Sequence, residues 1–209
     1  MQISEIFYSL QGEGILIGTP TVFIRTAGCD LRCKWCDTKY AFEKGKEMTV
    51  NEIVEKVESH DCNNICVTGG EPLIQDEILK LIQKLIDKKY LVTVETGGAH
   101  SIETLPCDDN ITISLDIKCP SSGMHQKMNF SNIELLSIND QLKFVIADNE
   151  DYKYAKEIIA KYKPICRIIM QPVGGRDLKE LAENVLKDGL NVQVLPQLHK
   201  LIWGDKRGV

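Results

Sequence analysis

The sequence predicts an α/β protein, an incomplete, open barrel of βα units preceded by an N-terminal hairpin. Three observations lead there. From residue 49 onward, strand-like apolar runs alternate with amphipathic helical runs, as in a parallel sheet with crossover helices. Polar and glycine-rich residues follow the strand ends at 68–71, 95–98, 116–118, 171–175 and 197–200, and in βα architectures that rim is the functional face. The parallel strands number about six, too few to close a ring of eight.

The elements follow in order. Residues 2–10 alternate as a strand, which Gln11-Gly12-Glu13-Gly14 breaks with two glycines around an acid. Residues 20–26 form the next strand, with Val22, Phe23 and Ile24 apolar and Arg25 intruding near its end. Thr49-Val50-Asn51-Glu52 is a capping box, and it opens a helix with Ile53, Val54 and Val57 on one face. Residues 65–67 are a strand. Residues 75–88 are an amphipathic helix, with Ile78, Leu81, Ile82, Leu85 and Ile86 apolar. Strands at 90–95 and 111–115 end in Thr96-Gly97-Gly98 and Asp116-Ile117-Lys118-Cys119-Pro120. The polar stretch 121–138 reads mostly as loop, with a short helix near 131–136. A strand at 141–146, a helix at 151–161 and a strand at 165–170 follow, the last ended by Gln171-Pro172-Val173-Gly174-Gly175. A helix at 178–187, a last strand at 191–195 and a tail from Pro196 to Val209 complete the chain. No repeat or linker interrupts it, so residues 1–209 read as one domain with a sizeable core.

A net charge of −5 argues against a broad nucleic-acid-binding surface. No apolar run is long enough to span a membrane, and the N-terminus lacks the basic flank and apolar core of a signal peptide. The expected location is the cytoplasm. Its reducing environment opposes disulfides among the eight cysteines. Cys66 and Cys166 sit in apolar runs as small core residues. Cys62 and Cys66, at C-x3-C, could also be half of a second metal site. Cys107 and Cys119 flank no recognisable partner.

The remaining three, Cys29, Cys33 and Cys36, fall at C-x3-C-x2-C within one loop. Three thiolates do not complete a structural zinc site, which wants four protein ligands. On a [4Fe–4S] cluster they leave one iron open to an exogenous ligand. A zinc knuckle borrowing a distant Cys or His is the alternative. Thr68-Gly69-Gly70-Glu71-Pro72 follows the apolar run Ile65-Cys66-Val67, so two glycines stand at a strand's C-terminal end, where backbone approaches a ligand closely. Gln11-Gly12-Glu13-Gly14 is a turn whose Gln and Glu are not needed for turning. Arg25 is either a surface charge or a bidentate carboxylate binder.

C-x3-C-x2-C followed by the Gly-Gly-Glu-Pro loop resembles the radical S-adenosylmethionine superfamily, whose barrel type the fold class then takes. Within it the chain resembles the 7-carboxy-7-deazaguanine synthases of queuosine and 7-deazapurine biosynthesis. The likeness rests on Ser9 to Gly14, Arg25, Gly28 to Thr38, Thr68 to Pro72, Asp116-Ile117-Lys118, Gln171-Pro172 and Pro196 to Lys200. It implies a lyase that converts 6-carboxy-5,6,7,8-tetrahydropterin to 7-carboxy-7-deazaguanine with loss of ammonia. It implies a [4Fe–4S] cluster on Cys29, Cys33 and Cys36, S-adenosylmethionine, and Mg²⁺ on Thr38. It assigns the pterin to Leu10, Gln11, Gly12, Glu13, Arg25 and Thr68. It assigns S-adenosylmethionine to Gly69, Gly70, Glu71, Asp116, Ile117, Lys118 and Gln171. The tail, 196–209, would complete the substrate end. A flavodoxin or ferredoxin reductant and a homodimer are also implied, with no nucleic-acid or membrane partner. The chain departs from some members in carrying Asp116 where they have Ser, and in running on from Ile202 to Val209. A glycyl-radical-activating enzyme shares the cysteine spacing but would not need Gln11-Gly12-Glu13-Gly14. A zinc-binding adaptor would need no catalytic residues at all.

Overall fold

The computed structural model describes residues 1–175 and 177–209. The chain opens with β1 (Gln2–Leu10) and β2 (Pro20–Thr26), paired antiparallel as expected. A nine-residue connection, longer than a tight hairpin turn, carries Gln11 to Thr19 and includes a 3-10 turn at Gly14–Leu16. After the cysteine loop, β3 (Lys46–Glu47) adds two residues to the outer edge of β1. Then α1 (Val50–Glu58) begins with the capping box formed on both sides. Thr49 Oγ1 accepts from Glu52 N, and Glu52 Oε2 accepts from Thr49 N.

The βα succession follows: β4 (Asn64–Gly69), α2 (Ile78–Asp87), β5 (Leu91–Thr96), β6 (Ile111–Asp116), β7 (Gln141–Ile146), α3 (Asn149–Tyr162), β8 (Arg167–Pro172), α4 (Lys179–Asp188), β9 (Gln193–Val194) and α5 (Leu198–Trp203). The strands form one sheet in the order β3-β1-β2-β4-β5-β6-β7-β8-β9, with every pair from β2 to β9 parallel. The ends, β3 and β9, do not meet, so the barrel is open. Among the described residues seven parallel strands take part, one more than expected.

Several elements differ from the sequence reading, β3 among them. The second helix starts at Ile78, not at 75, because Pro72–Ile74 first makes a separate 3-10 turn capped by the Glu71 side chain. The short helix near 131–136 is a 3-10 helix at Phe130–Leu135. The last strand shrinks to two residues, since an edge strand with one neighbour is held only where that neighbour continues. The tail holds a helix, α5, that the sequence reading did not anticipate.

Strand periodicity divides the sheet into two chemistries. Ile65, Val67, Val92, Val94, Ile113, Leu115, Leu142 and Phe144 point one way and pack with the helices in one apolar core. Their alternating neighbours, Thr68, Glu95, Ser114, Asp116, Lys143 and Gln171, point the other way and line a cavity. A wholly buried strand such as β7, with every residue buried, is therefore not uniformly apolar.

Candidate active site

The cavity has a volume of about 390 Å³ and lies over the C-terminal ends of the parallel strands. Cys29, Cys33 and Cys36 line it, all three free and half-buried. Their loop leaves β2 and is fastened on several sides. Lys34 N donates to Ser122 O at 3.1 Å. Trp35 Nε1 donates to Ser121 Oγ (3.0 Å), whose hydroxyl donates to the fully buried Asp151. The Arg32 guanidinium donates to Cys29 O and Leu31 O and lies over the Phe42 ring.

The Gly69-Gly70 loop is laced to the cysteine loop by backbone. Gly70 N donates to Thr26 O at 3.1 Å and Glu71 N to Gly28 O at 2.9 Å. A Cβ on Gly70 would stand 1.9 Å from Gly28 O, so only glycine permits this approach. Glu71 then ties the loop to the exit of β5. Its carboxylate accepts from Thr96 Oγ1 (2.8 Å), Gly97 N (2.8 Å) and Leu73 N (3.1 Å). Burial pushes the Glu71 carboxyl up, against the pull of these donors. Glu71, 1% exposed, and Ile117, fully buried, lie outside the cavity lining. Both were expected to touch S-adenosylmethionine. The Glu71 side chain is taken up by Leu73, Thr96 and Gly97, and the Ile117 side chain belongs to the core.

Gly69, Gly70, Asp116, Lys118 and Gln171 do line the cavity. Gln171 is fully buried, and both polar atoms of its side chain lack a hydrogen-bond partner among the described residues, as does Asp116 Oδ1. Buried polar atoms without partners mark a place for a polar ligand. Asp116 Oδ2 is held by Lys118 Nζ at 3.0 Å and Lys143 Nζ at 3.4 Å.

At the other end, Leu10, Gln11, Gly12, Glu13, Arg25 and Thr68 all line the cavity. Gln11 Nε2 donates to Glu95 Oε1 (3.2 Å), and Thr68 Oγ1 donates to Glu95 Oε2 (3.0 Å). Glu13 accepts from Lys143 Nζ and from Gln197 Nε2, each at 2.6 Å. Burial alone would push the Glu13 carboxyl up, but Lys143, His199 and Gln197 outweigh it and hold it down at about 2, against an ordinary 4.5. Gly12 lies against the His199 ring, where a Cβ would come within 2.2 Å of Nδ1. Arg25 has a partner within the protein. Its Nε already donates to Glu5 Oε1 at 2.8 Å, so one donor of the guanidinium is taken within the protein. Glu5 also accepts from Tyr40 Oη and from Arg207 Nε.

Thr38 lines the cavity with its hydroxyl 3.6 Å from Cys36 Sγ. Among the described residues, no three His, Cys, Asp or Glu side chains converge closely enough to hold a single metal ion. A zinc knuckle needs such convergence, whereas a cubane does not, because each thiolate binds a different iron. Free, half-buried cysteines around one open cavity fit the cluster. The Cys62–Cys66 half-site has no support: the Cys62 thiol meets the Pro20 and Asn64 carbonyls, and Cys66 is fully buried.

Glu95, Lys143 and Gln197 line the cavity, and Glu5 stands behind it, holding the lining residues Arg25 and Tyr40; the sequence reading placed Glu95 and Gln197 only among the polar residues after strand ends, and gave Glu5 and Lys143 no role. Glu95 and Lys143 carried a signal: each is a polar residue at period two within an apolar strand.

Comparison with known proteins agrees with this geometry. The family model "Radical SAM superfamily" matches residues 23–163. The chain is similar to proteins named 7-carboxy-7-deazaguanine synthase from Thermoplasma acidophilum, at 40% identity over the whole of both chains, and Chlorobaculum tepidum, at 42% over all of this chain and 97% of the other. Among solved structures, "Crystal structure of QueE from Escherichia coli" superposes with a TM-score of 0.75 at 25% identity, covering 93% of each chain. Streptococcus suis SuiB, at 15% identity and a TM-score of 0.60 over 82% of this chain and 47% of that one, shares the fold.

Proposed function

Because the chain belongs to the 7-carboxy-7-deazaguanine synthases of the radical S-adenosylmethionine superfamily, we propose that its cavity holds cofactor and pterin end to end. The protein is a radical S-adenosylmethionine lyase that converts 6-carboxy-5,6,7,8-tetrahydropterin to 7-carboxy-7-deazaguanine with loss of ammonia. One observation carries the division of labour: the three cysteines, the Gly69-Gly70 loop and the Gln11-Gly12-Glu13-Gly14 loop border the same cavity.

Cys29, Cys33 and Cys36 would hold a [4Fe–4S] cluster, which would supply the electron for reductive cleavage of S-adenosylmethionine to a 5′-deoxyadenosyl radical. The protein's own part is position and exclusion of water, since such a radical attacks almost any C–H within contact. In this proposal Gly69 and Gly70 present backbone to the methionine end. Asp116, Lys118 and Gln171 hold the rest of the cofactor. Gln11, Glu13 and Thr68 offer hydrogen-bonding groups to the pterin edge, with backbone from Leu10 and Gly12. The remaining donors of Arg25 face the substrate carboxylate. Thr38 would offer one hard oxygen to Mg²⁺. We take residues 1–209 as one domain whose tail, 196–209, completes the substrate end. No helix among the described residues is long and apolar enough to cross a membrane. A cytoplasmic homodimer reduced by a flavodoxin or ferredoxin is part of the same proposal.

Anaerobic incubation of the reconstituted protein with reductant, S-adenosylmethionine and the carboxytetrahydropterin, followed by mass spectrometry, tests it. The expected result is the deazaguanine and 5′-deoxyadenosine in step. 5′-Deoxyadenosine alone would overturn the substrate reading.

A further inference from the structure

Lys143 stands between the two ends of the cavity, and none of the motifs above contains it. It sits midway along β7, a strand whose six residues are all buried, and is itself 6% exposed. Its ammonium lies 2.6 Å from Glu13 Oε2 and 3.4 Å from Asp116 Oδ2. Glu13 comes from the loop after β1, and Asp116 ends β6. One buried cation thus joins a carboxylate at the substrate end to a carboxylate at the cofactor end. The second Glu13 oxygen is taken by Gln197 Nε2 at 2.6 Å, so Glu13 is held on both sides.

We propose that Lys143 is a positioning residue: by bridging Glu13 to Asp116 it fixes Glu13 as an anionic acceptor for the paired N–H donors of the pterin's aminopyrimidinone edge. This deepens the function proposed above and rests on it. A carboxylate held in one orientation accepts a ring N–H and an adjacent exocyclic amine side by side. A pteridine with a 2-oxo group in place of the 2-amine turns an acceptor toward that carboxylate, and the site rejects it. Without Lys143, Glu13 loses both its fixed orientation and the charge that keeps it ionised in a buried place. Asp116 loses one of its two cations in the same event.

The test is K143M, which keeps the aliphatic stem and removes the charge, set beside K143R and the double variant E13Q/K143M. Cluster iron content, the dissociation constant for the carboxytetrahydropterin by anaerobic calorimetry, kcat and KM are measured, and the 2-oxo analogue is run as competitor. K143M is expected to keep its iron, to bind the pterin about tenfold or more weakly, and to lose a similar factor of preference for the 2-amino ring. K143R recovers most of that preference. The double variant leaves no carboxylate unpaired at Glu13; it is expected to fold even where K143M does not, and to bind the pterin no worse than K143M. Wild-type affinity and wild-type ring preference in K143M would overturn the proposal, as would losses that multiply in the double variant. If the wild-type protein itself neither binds nor converts the pterin, the functional reading falls and takes this inference with it. If the wild type converts the pterin and the Lys143 variants match it, this inference alone falls.

Discussion

The cysteines differ in what surrounds them, and that difference is testable residue by residue. Cys29, Cys33 and Cys36 line the cavity, while Cys62 meets backbone carbonyls and Cys107 is exposed on the surface. Alanine at any of the first three is expected to abolish product and to lower the iron bound per chain, whereas Cys62→Ala and Cys107→Ala keep both. Iron and sulfide analysis beside product assay decides it, and full activity in any of the first three variants would remove that cysteine from the cluster. Glu13 gives a second prediction, with a pH signature. Its folded carboxyl sits at about 2 against an ordinary 4.5, so the ionised form stabilises the fold. That contribution is complete above the unfolded value, declines as pH falls below it, and is gone once pH passes below the folded value. The stability gap between wild type and Glu13→Gln, measured by urea unfolding, is expected to be flat from about pH 7 to 5.5 and to narrow below about pH 4.5. A gap that widened on acidification would reverse the sign of the argument. Glu13 and the three cysteines were legible as cavity residues because they sit in short polar motifs. Lys143 was not, because a single polar residue inside an apolar strand looks like noise until the neighbouring strands reveal a common inner face.

Elements with local causes were readable, and those with tertiary causes were not. The α1 start follows from four residues, Thr49 to Glu52, and the expected capping box is present on both sides. Thr49→Ala is expected to cost about 1 kcal/mol, measured by chemical denaturation, because it leaves the Glu52 amide without its side-chain acceptor. Unchanged stability would mean that water replaces the cap. The cost belongs to stability alone, since Thr49 is no part of the cavity lining. By contrast, β9 keeps only two residues because β8 supports it only at Ile169 and Met170. Helix α5 is placed by contacts no sequence window contains: Leu198 N donates to Gly12 O at 2.8 Å, and Gln197 N donates to Gly175 O at 3.0 Å. The Pro72–Ile74 turn likewise exists because Glu71 faces inward to cap it and to hold β5, a choice invisible in a run that scans as the start of a helix.

Across the whole molecule, the end of the cavity proposed to take substrate is assembled from parts far apart in sequence, and Glu5 is where they meet. It lies on β1, holds Arg25 Nε on β2 at 2.8 Å and Tyr40 Oη beyond the cysteine loop at 2.8 Å, and reaches Arg207 Nε in the tail at 3.3 Å. Arg207 in turn stacks on Tyr40, its guanidinium carbon 3.7 Å from the ring centroid. The hairpin, the cluster loop and the tail are thereby closed around the guanidinium of Arg25. Removing Arg25 leaves Glu5 with two other partners, so the frame should persist. What is lost is the bidentate cation proposed to meet the substrate carboxylate, worth about 2–5 kcal/mol in a desolvated site. The cysteines and the Gly69-Gly70 loop do not depend on it. Arg25→Ala is therefore expected to retain the cluster and a slow abortive cleavage of S-adenosylmethionine while losing most ring contraction. Quantifying 5′-deoxyadenosine and deazaguanine in the same reaction separates the two. A ratio near that of the wild type, at wild-type rate and affinity, would mean that Arg25 serves only to anchor Glu5 and that the pterin carboxylate is bound elsewhere.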